Sequence, residues 1–194
     1  MDTSSPRPIL PRRVARRTVY DNPWMTVIED RVRFTDEPVG VYGIIEKPDF
    51  SLVVPVRNDL LCLIRQYRYP TARWGYEFPQ GAVHAVAVDA EGMPEPSAVA
   101  LLELREEAGL YASEPTPLGS LHESSGLTSA MCHIFVAEVT EEAEPAPEAT
   151  ETISGRTWVS VAEFWEHVAA GEITDAVSIA ALGLYQARVQ ARAE

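Results

Sequence analysis

Glu103-Leu104-Arg105-Glu106-Glu107-Ala108-Gly109-Leu110 stacks three carboxylates on one face of a helix and then stops. Glu103, Glu106 and Glu107 stand at i, i+3 and i+4, so on a helix their side chains converge on a single patch. Converging carboxylates repel one another unless a cation sits among them, and hard divalent ions such as Mg²⁺ favour oxygen ligands of this kind. Glutamate is also a good helix former, and solvated acidic helix faces are common, so the cluster alone does not separate a metal site from a charged surface. The setting favours the metal. Glu77-Phe78-Pro79-Gln80-Gly81 precedes the helix, a long loop containing Gly and Pro intervenes, and Gly109 stands where a left-handed residue closes a helix.

Working outward, the spacing predicts a helix over 96–108, with Pro96 suited to its first turn and Val99, Leu101, Leu102 and Leu104 on its buried side. Upstream, residues 24–34, 40–46, 50–56 and 60–66 read as strands, separated by Asp36-Glu37-Pro38, Lys47-Pro48-Asp49 and Asn58-Asp59. Downstream, strands at 116–121 and 131–139 are joined by Glu123-Ser124-Ser125-Gly126-Leu127-Thr128-Ser129, the kind of loop that often carries function. Residues 140–152 are rich in Glu, Ala, Pro and Thr and read as a mobile acidic loop. A short strand near 155–159 leads into Ser160-Val161-Ala162-Glu163, a capping-box pattern that opens a helix running to about Gly171. A last helix starts near Asp175, with Val177, Ala180, Ala181, Leu184 and Val189 at helical spacing. No internal repeat occurs. The order points to a mixed sheet clasped between helices, an α/β or α+β sandwich.

With 194 residues and 46% hydrophobic composition, the chain reads as one globular domain over 19–194. A formal net charge of −13 argues against non-specific binding to nucleic acid through phosphate neutralisation. Residues 1–17 nevertheless hold five Arg (Arg7, Arg12, Arg13, Arg16, Arg17) against one Asp, with Pro8 and Pro11 among them. Residues 1–18 therefore read as a flexible basic tail. No run approaches the length of apolar residues that spans a membrane. Two cysteines, Cys62 and Cys132, lie in apolar strand-like runs and read as buried thiols, which suits a cytoplasmic protein.

These residues resemble the Nudix hydrolase family, whose box reads G-x5-E-x7-R-E-U-x-E-E-x-G-U, with U aliphatic. Gly81, Glu103, Leu104, Glu106, Glu107, Gly109 and Leu110 match it. Gln66-Tyr67-Arg68-Tyr69-Pro70, Tyr76-Glu77-Phe78-Pro79-Gln80-Gly81 and Gly171-Glu172-Ile173-Thr174-Asp175 look like the ADP-ribose pyrophosphatase branch, and the likeness covers about residues 19–185. It implies a Nudix-type α/β/α sandwich with a mixed β-sheet and an N-terminal antiparallel β region over 19–48. It also implies metal-dependent hydrolysis of a pyrophosphate linkage in a nucleoside diphosphate derivative, such as ADP-ribose giving AMP and a sugar phosphate. Mg²⁺, or Mn²⁺ in its place, would be held by Glu103, Glu106 and Glu107 with a backbone carbonyl around Gly81. Glu107 and Glu103 rank ahead of Glu106 as ligands.

Leu102 stands where the family has Arg, Pro94 where it has Glu, and twelve residues separate Gly81 from Pro94 where the family has five. The insertion contains Val83-His84-Ala85-Val86-Ala87-Val88-Asp89. Exchanging an ion pair for apolar packing can leave the ligands intact; the competing reading is a catalytically weak nucleotide-binding module. In the loop after the box the branch's Ser-Pro-Gly has become Ser124-Ser125-Gly126, and its acid falls at Ala130. Glu123, Glu151 and Glu106 remain as candidates for the general base. Arg68, which fits the branch's Gln-x-Arg pattern, and Arg65 are candidates for gripping substrate phosphate, and Glu77 resembles a family acid near the metals. Tyr67, Tyr69, Trp74, Tyr76 and Phe78 flank the region as base-stacking or packing groups. The branch pairs its N-terminal strands in a homodimer, which makes Trp24, Val41 and Tyr42 candidate interface residues. His84, His122 and His133 carry no assigned role.

Overall fold

The turn Asn58-Asp59 sets the framework, because both residues adopt positive φ (51° and 63°), as a tight hairpin between right-twisted strands requires. It joins β4 (Phe50–Arg57) to β5 (Leu60–Arg68) in a computed structural model that describes residues 10–34, 38–82 and 95–193. Arg7, Pro8, Asp36-Glu37, the Val83–Asp89 insertion with His84, and Pro94 lie outside the described residues. The remaining elements are β1 (Arg12–Asp21), β2 (Thr26–Arg33), β3 (Val39–Glu46), β6 (Arg73–Glu77), β7 (Gln80–Gly81), α1 (Pro96–Ala108), β8 (Leu110–Ala112), β9 (Thr116–His122), β10 (Met131–Glu142), β11 (Ile153–Val159), α2 (Val161–Ala169) and α3 (Ala176–Ala193).

Two compact units form where the sequence reads as one. The first comprises residues up to 48 together with 122–130 and is built on the antiparallel sheet β1-β2-β3. Within it, Ile45 N donates to Leu127 O at 2.9 Å and the Tyr42 hydroxyl to Gly126 O at 3.0 Å. The tail reading fails over Arg12–Asp21, which is a strand. Its residues are all exposed, so no apolar stripe betrays it. Cross-strand acids and the backbone ladder hold it instead: the Arg16 guanidinium donates to both Asp30 oxygens at 2.9 Å and to Glu46 at 3.0 Å, and Arg17 pairs with Glu29 at 3.1 Å.

The second unit comprises 49–121 and 131–194. Its sheet runs β11-β5-β4-β10-β8, with β6 on β5, β7 on β4 and β9 on β10. β10 runs parallel to β4, from Cys132 opposite Phe50 to Glu138 opposite Val56, while β11-β5 and β4-β5 are antiparallel, so the sheet is mixed. Alternation along the strands sends successive residues to opposite faces. Val53, Cys62, Ile64 and Phe135 pack on α1 through Ala100, Leu104 and Ala108. Leu52, Val54, Leu61, Leu63 and Ile134 pack on the other side with Phe164 of α2 and Ala181 and Leu182 of α3. The result is an α/β/α sandwich. Burying a leucine such as Leu104 or Leu110 contributes about 1.5–3 kcal/mol.

Ser160 caps α2 as its sequence pattern predicts, its hydroxyl accepting from Glu163 N while the Glu163 carboxylate accepts from Ser160 N at 2.7 Å. The acidic stretch after residue 139 departs from expectation at its start, because β10 continues to Glu142 along β8. Gly109 ends α1 at φ 62°, and a Cβ there would stand 2.7 Å from Pro145 N and against Ala143 O. Gly109→Ala is therefore expected to cost about 2 kcal/mol or more, from left-handed strain plus a clash with backbone, read as a fall in the urea midpoint. An unchanged midpoint would contradict this packing.

Candidate metal centre

α1 delivers Glu103 and Glu107 one turn apart on the same face, and both are buried. The Glu107 Oε2 atom accepts from Gln80 N at 2.8 Å, whereas its Oε1 is buried without a hydrogen-bond partner. Gly81 lies against Glu103 so closely that a Cβ would stand 2.6 Å from the carboxylate carbon. Glycine here leaves the space before the Glu103 carboxylate open.

A third carboxylate comes from the far side of the chain. The segment 143–151 lies along the end of α1, with Ala143 N donating to Gly109 O at 2.7 Å and Ala146 N to Glu106 O at 2.8 Å. The Arg156 guanidinium fastens it, donating to Ala108 O, to Ala143 O at 3.3 Å and to Glu142 at 2.7 Å. Ala108 is the last residue of α1, so Arg156 also satisfies a carbonyl the helix leaves open. A turn at 148–151, in which Glu151 N donates to Glu148 O at 3.0 Å and Glu148 N to Glu151 Oε2 at 2.9 Å, then presents Glu151. One oxygen each from Glu103, Glu107 and Glu151 falls within 4.8 Å of the others.

Three carboxylates this close, two of them buried, resist ionisation. Burial pushes Glu103 up to about 7, with repulsion from Glu151, Glu106 and Glu148 adding to it and Arg68 opposing. Burial first, then Glu103 and Glu151, push Glu107 well above the ordinary carboxylate range. Glu151 is raised as well, chiefly by burial. A buried carboxylate oxygen without a donor, an open space kept by Gly81 and an all-oxygen donor set fit a hard divalent cation.

The other expected residues fall as follows. Glu106 is half-buried, accepts from Arg105 at 3.3 Å and is not among the three converging carboxylates, whereas Glu151 is. Glu77 is buried and grips Arg68 through two contacts, Nε to Oε2 at 3.2 Å and Nη2 to Oε1 at 2.6 Å. Burial pushes Glu77 up while Arg68 pulls it down. Arg65 is exposed, its guanidinium 4.8 Å from the Trp74 ring centroid, and Leu102 is half-buried on α1. Phe78 stacks on Phe164 with ring centroids 5.4 Å apart, and Tyr76 packs on His167, so both serve the core; Tyr69 is exposed.

In the first unit, Glu123 pairs with Lys47, and Tyr42, Ile44, His122 and residues 125–129 line a cavity of about 310 Å³. His133 meets the Ser120 hydroxyl at 2.9 Å. The sequence gives no site role to Gln80, Asp175 or Ser178, although Gln80 and Asp175 stand in motifs it shares with the family. Gln80 Nε2 donates to Asp175 Oδ2 at 3.1 Å, Ser178 N donates to the same oxygen at 2.8 Å, and Phe78 N donates to the Ser178 hydroxyl at 3.0 Å. The available signal was an Asp at the start of a helix, a capping position.

Residues 47–182 match the NUDIX domain, and residues 12–45 match the nucleoside diphosphate sugar hydrolase N-terminal domain. An ADP-ribose pyrophosphatase of Mycobacterium tuberculosis is 26% identical over 169 residues, covering 86% of this chain and 79% of that one. A CMP-5'-(N-acetyl-N-hydroxy-3-aminopropyl)phosphonate hydrolase of Streptomyces rubellomurinus is 26% identical over 180 residues, covering 90% and 83%. The crystal structure of an ADP compounds hydrolase superposes with a TM-score of 0.78 at 22% identity, over 94% of this chain and 95% of that one, which shows a common fold.

Proposed function

Because the chain belongs to the NUDIX domain family, we propose that it hydrolyses the pyrophosphate linkage of a nucleoside diphosphate sugar such as ADP-ribose, with a divalent cation, Mg²⁺ or Mn²⁺, held by its buried carboxylates. The observation that carries this reading is the convergence of Glu103, Glu107 and Glu151 around an oxygen of Glu107 that has no donor. The match of residues 12–45 to a nucleoside diphosphate sugar hydrolase domain supports the sugar nucleotide.

Glu103 and Glu107 would hold the cation, and Glu151, with an oxygen within 4.8 Å of theirs, would face it across a water. When bound, the cation neutralises charge on the phosphate oxygens and makes a water nucleophilic near neutral pH. The Gln80 amide fixes Glu107 in place. Arg68 has Nε and Nη2 committed to Glu77, which fixes the plane of its guanidinium, and its half-exposed edge is the donor assigned to a substrate phosphate. Arg65, stacked on Trp74, is given only an outer electrostatic part. Glu151, the member of the trio that keeps partial contact with solvent, takes the proton from the attacking water. Attack on phosphorus breaks the bridging P–O bond and leaves AMP and a sugar phosphate.

Glu151→Gln is expected to lower kcat by about 10²–10⁴-fold, the usual contribution of a general base, while Glu106→Gln costs less than about tenfold. A larger loss from Glu106→Gln in steady-state assays would move the base to Glu106. Glu123, held by Lys47, has no part in this scheme.

Trp24 and Val41 are strongly exposed and Tyr42 partly so, which supports pairing of two copies through the N-terminal strands. Among the described residues no helix is long and apolar enough to cross a membrane. Burial pushes the Cys62 thiol up to about 12, which leaves it unreactive.

Incubation with ADP-ribose, other nucleoside diphosphate sugars and a CMP-linked phosphonate, followed by chromatography of the products, tests the substrate. AMP with ribose phosphate from ADP-ribose is the expected result. Release of CMP from the phosphonate alone would transfer the substrate to that class. Protection of the fold by nucleotide without turnover would favour the binding module suggested by Leu102.

A further inference from the structure

Phe78 and Pro79 lie between β6, which ends at Glu77, and the two-residue strand β7, and this stretch supplies the amide that holds Glu107. Pairing of β7 with β4 holds its last two residues, and the further attachments are specific. Phe78 N donates to the Ser178 hydroxyl at 3.0 Å, Val53 N donates to Pro79 O at 3.1 Å, and Gln80 Nε2 donates to Asp175 Oδ2 at 3.1 Å. The same Asp175 oxygen caps α3 by accepting from Ser178 N at 2.8 Å. Ser178 is fully buried and Gln80 nearly so, so water does not readily replace either partner.

We propose that Asp175 is a positioning residue for the metal centre, acting through Gln80: one carboxylate oxygen locks the first turn of α3 and the Gln80 side chain together, and so holds the Gln80 amide on Glu107. The inference rests on the reading of Glu103, Glu107 and Glu151 as cation ligands. Its physical content is a chain of three links, Asp175 to the Gln80 side chain, Gln80 side chain to its own backbone, and Gln80 N to Glu107 Oε2. Outer partners of this kind orient a ligand before the ion arrives, and removing one typically weakens metal affinity about 10–100-fold. Asp175 also serves the fold as a cap, so the two roles have to be separated. Gln80→Leu does so, because it removes the Asp175 contact while keeping the backbone N–H that meets Glu107 and the cap on α3.

The test is Mn²⁺ binding to the full-length chain, read as free Mn²⁺ by electron paramagnetic resonance, for the wild type, Asp175→Ala, Asp175→Asn and Gln80→Leu, with thermal unfolding alongside. Asp175→Ala and Gln80→Leu are expected to raise the Mn²⁺ Kd about tenfold or more. Asp175→Asn, which keeps an acceptor oxygen, is expected to stay within about threefold of the wild type. Wild-type affinity in Gln80→Leu overturns the inference, even where Asp175→Ala is weak, since the effect of Asp175 would then come from the helix cap alone. Should Asp175→Ala fail to fold, Gln80→Leu decides. A wild-type chain that binds no Mn²⁺ overturns the metal reading itself, an outcome the panel separates from normal binding in every variant.

Discussion

Glu107→Gln is expected to reduce kcat/KM by about 10³-fold or more, equivalent to at least about 4 kcal/mol of transition-state stabilisation, while leaving the protein folded. The size follows from position. Glu107 is the most buried of the three converging carboxylates, and one of its oxygens has no protein donor to lose. Gln keeps the shape and still offers an acceptor to Gln80 N, so the local packing survives. It loses the charge, and with it the attraction that makes the site selective for a divalent cation. Because burial and its neighbours already push Glu107 well above the ordinary carboxylate range, the metal-free variant is expected to melt no lower than the wild type. Kinetics and thermal unfolding on the same preparation check both halves. Full activity would remove Glu107 from the ligand set, and a collapse in stability would make its role structural.

The second large effect is a dependence of stability on pH that a divalent cation reverses. Glu103 is raised from 4.5 to about 7 in the folded protein, so between those values the native state holds a proton that the unfolded chain has released. Stability therefore falls as pH rises through this window, by about 3 kcal/mol for the full shift, with Glu107 and Glu151 acting in the same direction. The acids shifted the opposite way, Asp30, Glu142 and Glu163, lose their contributions only as pH falls through their depressed values, below this window. Metal-free protein is thus expected to have a lower urea midpoint at pH 8 than at pH 5.5. Millimolar Mg²⁺ or Mn²⁺ should restore the midpoint at pH 8 and do little at pH 5.5, because the ion competes with the protons. A midpoint that is flat with pH and indifferent to metal would contradict the electrostatics of the site.

The sequence shows a site wherever several constraints fall on neighbouring residues. Glu103 and Glu107 on one helical face, Gly109 at its end and Gly81 before it were visible because helix periodicity and glycine placement are local rules. The mixed sheet was visible for the same reason, since β4, β5 and β10 are long apolar runs. Glu151 entered only as one candidate base among several, because its place beside Glu103 depends on Arg156, Gly109 and Glu106 O pinning a stretch without regular structure. Its own composition reads as solvated, and the backbone bonds that pin it leave no mark in the sequence.

Arg12–Asp21 misleads for the converse reason. A strand held by ladder bonds and ion pairs to Asp30, Glu29 and Glu46 has no hydrophobic alternation to reveal it. Gln80 and Asp175 are 95 residues apart, and no local rule joins them; only the seating of α3 against β4, the strand that also carries β7, does. Leu102 departs from the Nudix box, yet Glu103 and Glu107 on the same helix still converge with Glu151.

Glu103, Glu107 and Glu151 are proposed to surround a divalent cation. Crystals of the full-length chain soaked in Mn²⁺, with diffraction collected at the manganese absorption edge, test it most directly. The expected result is an anomalous peak among the carboxylates of all three residues, missing from the same crystals of Glu107→Gln. A catalytically active crystal form with no peak among these carboxylates, or with manganese held by a different set of residues, would contradict it.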